Sequence, residues 1–96
     1  MFDEWGGFFD HVPPSTAPDA DPAFALRGFR VPCVLVSPRA TRHRVFSDLV
    51  LDHTSILKMI EWRWGLAPLT PRDAAAENLA SALDFTAPPD LTAPRW

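Results

Sequence analysis

Residues 29–38 read FRVPCVLVSP. At the centre, Val34, Leu35 and Val36 follow one another with no polar residue between them. An unbroken apolar run this short suits a strand covered on both faces, the pattern of a parallel sheet rather than a half-solvated antiparallel one. Pro32 cannot donate to a ladder and is expected at the strand's first residues, and Ser37-Pro38 ends it. Residues 1–4 are the candidate for the parallel neighbour, closing on Gly6-Gly7, where the backbone is free to turn. Cys33, the one cysteine, lies inside the apolar run and is expected as a buried, inert thiol. A single cysteine excludes an internal disulfide framework.

Downstream, DHTSILKMIEWRWG (52–65) predicts a helix. Asp52 or Thr54 can cap it, and Gly65 is suited to the residue just past its end. Ile56, Leu57, Ile60 and Trp64 fall on one stripe at helical spacing, with Met59 and Trp62 on another side. Apolar residues on two sides imply burial in a larger body. LTPRDAAAENLASALDF (69–85) predicts a second helix, with Thr70 as N-cap, Pro71 in the first turn and Asp73 closing a capping box. Its apolar stripe is narrow: Ala75, Ala76, Leu79 and Leu83. VPPSTAPDAD (12–21) is a loop by composition, and residues 39–51 form a basic, irregular connection. Residues 86–96 are expected to be a loosely held tail. The reading is an α/β fold, one domain at most over residues 1–96, with helices packed on a parallel sheet.

The chain has 96 residues and a net charge of −3. That balance argues against a nucleic-acid binder, which needs a basic face. The basic cluster Arg39, Arg42, His43 and Arg44 is read as a solvated loop, an anion contact being the lesser reading. No apolar run is long enough to span a bilayer. Met1 is followed by acids and glycines, so no signal peptide is expected within this chain.

Chemistry-bearing residues concentrate near the start, in MFDEWGGFFDHV (1–12). Asp3 and Glu4 are adjacent carboxylates before a glycine turn. Hard oxygen donors favour Mg²⁺, Ca²⁺ or Mn²⁺, and zinc also accepts carboxylates. Adjacent acids near a terminus are more often simply solvated. His11 and His53 each follow an aspartate, and a carboxylate commonly orients a ligand histidine. A neutral imidazole can bind a metal or donate one hydrogen bond to a phosphate, although a lone histidine is more often structural. No serine lies in a glycine elbow, so no nucleophile stands out.

Three stretches, FDEWGGFFDHVPP, GFRVPCVLVSPRA and LDHTSILKMIEWRWGLAPLTPRDAAAENLASALDF, follow one another in this order. Together they resemble the C-terminal part of the bacterial phosphoesterase family that contains phospholipase C and related acid phosphatases. The resemblance runs from Phe2 to about Phe85. It implies an alkaline-phosphatase-like fold and divalent-metal-dependent hydrolysis of phosphate esters or phospholipids by a hydroxyl nucleophile. It maps the metal-ligand pair onto Asp3 and Glu4 and places His11 and His53 at or beside the active site. The family's Glu-Asn metal motif, its Ser or Thr nucleophile and most of its sheet precede this region, so a C-terminal fragment is expected, inactive alone. The family's members are often secreted. The loop RATRHRVFSDLV (39–50) matches the family only loosely, and His43 inherits no role. Two other readings are a non-catalytic interaction module docking through helix 54–64, and a decayed gene product.

Overall fold

The computed structural model describes residues 8–40 and 49–92. Among them are two α-helices and two 3-10 turns, in the order Pro22–Phe24, α1 (Thr54–Trp64), α2 (Pro71–Ala75) and Leu79–Ala82.

The expected parallel sheet is not formed among the described residues. Residues 29–38 join no ladder, and pairing is limited to two isolated antiparallel bridges, Thr16 with Leu26 and Ala40 with Leu83. Val34 is 81% and Val36 87% exposed. The apolar run records a demand for cover, but a strand also needs neighbours to take its backbone N–H and C=O groups. The described residues supply neither. The proposed partner strand, residues 1–4, and the Gly6-Gly7 turn lie outside them. Cys33 is exposed for the same reason, so its reading as a buried thiol is corrected.

α1 forms where the periodicity places it, and both ends are built by local side-chain and backbone chemistry. At the N-terminus the Asp52 Oδ1 accepts from the Thr54 N–H at 2.9 Å, while the Ser55 hydroxyl accepts from the Asp52 N–H at 3.0 Å. These bonds satisfy backbone donors that a helix start otherwise leaves unpaired. At the C-terminus Gly65 has φ +65°, the left-handed conformation that favours glycine. The Gly65 and Leu66 N–H groups both donate to the Glu61 carbonyl, the second at 2.9 Å, closing a Schellman-type stop.

The second helix is shorter than its pattern. Thr70 and Asp73 form the expected capping box, and the Leu69 N–H also donates to Asp73 at 2.7 Å. But α2 ends at Ala75, with Ala76 extended at ψ 145°, and the chain resumes as a 3-10 turn capped by Asn78. The Asn78 Oδ1 accepts from the Ala80 N–H at 2.8 Å, a local bond that competes with helix continuation. An alanine stripe has too little area to recover the loss by burial. Both α2 and the Leu79–Ala82 turn pack on α1.

Among the described residues the buried apolar ones are alanines: Ala17, Ala76 and Ala82. Leu57, Ile60, Trp62 and Trp64 on α1 are exposed, so its stripes are not covered by the described residues. Trp62 meets only an edge of cover, its ring 6.0 Å from that of Phe85. The rest of the fold is tied by backbone hydrogen bonds and by arginine side chains. The loop 15–27 closes on itself through backbone bonds from Ala17 to Ala25 and from Arg27 to Ser15. Arg72 on α2 reaches back to Asp19 at 3.0 Å and to the Phe24 carbonyl. Arg39, read as part of a solvated loop, is half-buried instead; it donates to the Ala87 carbonyl and stacks 5.8 Å from the Phe85 ring. Arg42, His43 and Arg44 lie outside the described residues.

Candidate functional site

Two segments far apart in sequence each carry an Asp-His pair, and an arginine reaches each aspartate. Asp10 receives Arg30 in a bidentate pair, Nε and Nη2 both at 2.8 Å, and the Arg30 backbone N–H donates to it as well. Asp52 receives Arg27 Nε at 3.0 Å, and the same guanidinium donates to the Ser15 hydroxyl and the Thr16 carbonyl. Arg27 and Arg30 sit three residues apart in LRGFR (26–30), so one short segment holds both aspartates.

The hydrogen bonds from Arg30, reinforced by the Val12 N–H, hold the Asp10 carboxyl well below the usual carboxylate range. Burial pushes Asp52 upward, but the bonds from Thr54 and Arg27 outweigh it, and its carboxyl also lies below the ordinary value. Both aspartates are therefore fixed as anions with their lone pairs in use.

A cleft of about 470 Å³ opens between these pairs, lined by Pro13, Arg27, Phe29, Arg30, Asp52 and His53 among others. His53 stands at the mouth of α1, immediately before its first residue. His11 is elsewhere. Its exposed ring lies 3.7 Å from the Asp10 carboxylate and borders a shallow depression with Phe9, Arg30 and Pro32. The two histidines therefore do not share the main cleft. Asp3 and Glu4, expected as metal ligands, lie outside the described residues, as does any convergence of them with His53. Among the described residues no group of three or more His, Cys, Asp or Glu side chains could hold a metal ion.

Sequence reasoning missed Arg27 and Arg30. Their signal was position: two lone cations at the entry to an apolar run, in a chain with an excess of acids that need partners.

With this geometry in hand, comparison with known proteins decides the family. The family model described as "Phosphoesterase family" matches residues 1–67. The chain belongs to the phosphoesterase family. This phosphoesterase segment is 37% identical over 115 aligned positions to "Phospholipase C A" of Mycobacterium tuberculosis, covering 97% of the chain and 22% of that relative. It is 33% identical to "Non-hemolytic phospholipase C" of Pseudomonas aeruginosa, covering 92% of the chain and 17% of that relative. It is 36% identical to a protein of the same name from Burkholderia pseudomallei, covering 91% and 16%. The phosphoesterase segment thus spans about a fifth of the length of the curated relatives it matches. No solved structure matches it. Among the described residues, no helix is long and apolar enough to cross a membrane.

Proposed function

We propose that this chain supplies a C-terminal segment of a metal-dependent phosphoesterase whose substrates are phosphate esters of the phospholipid class, and that it is inactive alone. The match of nearly the whole chain to proteins named phospholipase C carries this reading. In it, Asp3 and Glu4 ligate the divalent cation, since adjacent carboxylates are hard oxygen donors of the type such ions take. The cation supplies electrophilic assistance at the phosphoryl oxygens. His53, at the edge of the cleft, is assigned a hydrogen bond to substrate or leaving group. His11 is assigned a flanking role on the outer side of Asp10. Arg27 and Arg30 act indirectly: they fix Asp52 and Asp10 and so set where the two histidines stand. Inactivity of the isolated chain follows from the resemblance, which places the nucleophile and the remaining ligands in the portion that precedes this one.

The test is a chimaera. Residues 2–92 replace the matching segment of the M. tuberculosis phospholipase C, and hydrolysis of nitrophenyl phosphorylcholine is followed. Activity in the chimaera, lost on Asp3→Asn, is the expected outcome. A folded chimaera without activity overturns the assignment. Turnover by the 96-residue chain alone, abolished by Asp3→Ala, overturns its inactivity.

A further inference from the structure

The junction of α1 and α2 buries two carboxyl groups against each other. Asp73 is 1% and Glu61 7% exposed. Asp73 is engaged as an acceptor on both oxygens, its Oδ1 taking the Thr70 N–H at 2.7 Å and the Thr70 hydroxyl and its Oδ2 the Leu69 N–H at 2.7 Å, which leaves Oδ2 room for one more donor. Glu61 is not so engaged. Both its oxygens are buried and neither has a partner within hydrogen-bond geometry; the nearby Leu69 N–H is committed to Asp73 at 2.7 Å. The polar group that faces it, Asp73, is itself an acceptor. Two buried carboxylates in this arrangement repel, and an unpaired one loses its hydration without compensation. One proton resolves both problems, because it turns Glu61 into the donor that Asp73 can accept.

We propose that Glu61 is held as a neutral carboxylic acid donating its proton to Asp73, and that this shared proton fastens α2 and the 66–70 turn onto α1. The neighbouring groups agree. Asp73 and burial push the Glu61 carboxyl up; Lys58, its ammonium engaged by the Ala74 carbonyl at 2.8 Å, and the Leu69 N–H oppose them, and the upward direction prevails. Asp73 is pulled down, by Thr70 first and by Glu61 next. The Leu79–Ala82 turn, also packed on α1, carries no titratable residue. The sign follows from linkage. An acid whose folded value is raised contributes stability below its ordinary range and loses it as pH rises through the elevated value. The joint is therefore firm in mild acid and loosens towards alkaline pH. The two groups titrate as a pair, not separately.

The experiment is a ¹³C-carboxyl NMR titration of the 96-residue chain, with Glu61 assigned by the signal that disappears in Glu61→Gln. The expected result is a Glu61 midpoint above the ordinary glutamate range and an Asp73 midpoint below the ordinary aspartate range. Amide-exchange protection of Leu69 and Thr70 should fall as pH rises through the Glu61 midpoint, after correction for intrinsic exchange. In Glu61→Gln the amide replaces the proton as donor, so that protection should become independent of pH. Ordinary midpoints for both groups, whether the chain is folded or not, overturn the proposal. So does an equal pH dependence of protection in wild type and Glu61→Gln.

Discussion

At the scale of single residues, the candidate site is governed by who partners each aspartate. The Asp-His repetition was legible in the sequence and drew attention to the histidines, but the aspartates turned out to be answered by arginines. Asp10 makes this testable by pH. A carboxyl with a depressed folded value contributes stability above its ordinary value of 3.8, and loses it as pH falls from there through the folded value. Amide-exchange protection of Val12 and Arg30, whose N–H groups donate to Asp10, should therefore collapse below that ordinary value. In Asp10→Asn it should already be reduced at neutral pH. Equal protection in the variant and wild type at neutral pH would show that the pairing is decorative.

At the scale of elements, what sequence rules capture well are the ends of helices. Gly65, Thr70 and Asp73 occupy the capping positions that their chemistry predicts, and Asp52, one residue before the N-cap His53, accepts from the Thr54 N–H, because caps depend on near neighbours in sequence. Replacing Gly65 by alanine forces a Cβ into the left-handed region and should cost about 1 kcal/mol. Asp52→Ala removes the side-chain cap of α1 and should cost about 1 kcal/mol as well. Each should appear as roughly a fivefold fall in amide-exchange protection within α1, Gly65→Ala at its end and Asp52→Ala at its start. The middle of an element is another matter. Residues 29–38 and the far half of the second helix were misread because strand pairing and helix propagation depend on partners distant in sequence. The apolar content of Val34 and Val36 says that cover is wanted, not that it is present.

At the scale of the whole molecule, the buried apolar side chains among the described residues are three alanines, a small offset to the ordering of backbone, which costs about 1–2 kcal/mol per residue. The isolated chain should melt broadly, without a sharp calorimetric peak. A cooperative endotherm would contradict this. Exposed Val34, Val36, Trp62 and Trp64 should bind a hydrophobic dye at neutral pH, and Val34→Ser with Val36→Ser should reduce the signal. The family was legible because three motifs in order are a specific signature. The metal-ligand pair was proposed on the same basis, and Asp3 and Glu4 lie outside the described residues.

Four of the side-chain ties between distant segments are made by arginines. Arg27 spans to Asp52, Arg30 to Asp10, Arg39 to Ala87 and Arg72 to Asp19. Three of these side chains grip two or more acceptors through separate nitrogens of the same planar group, and Arg39 divides its hold between a carbonyl and a ring. An ammonium offers a point charge and no fork. Exchange of these four struts for lysine would preserve the net charge and leave the framework unbraced.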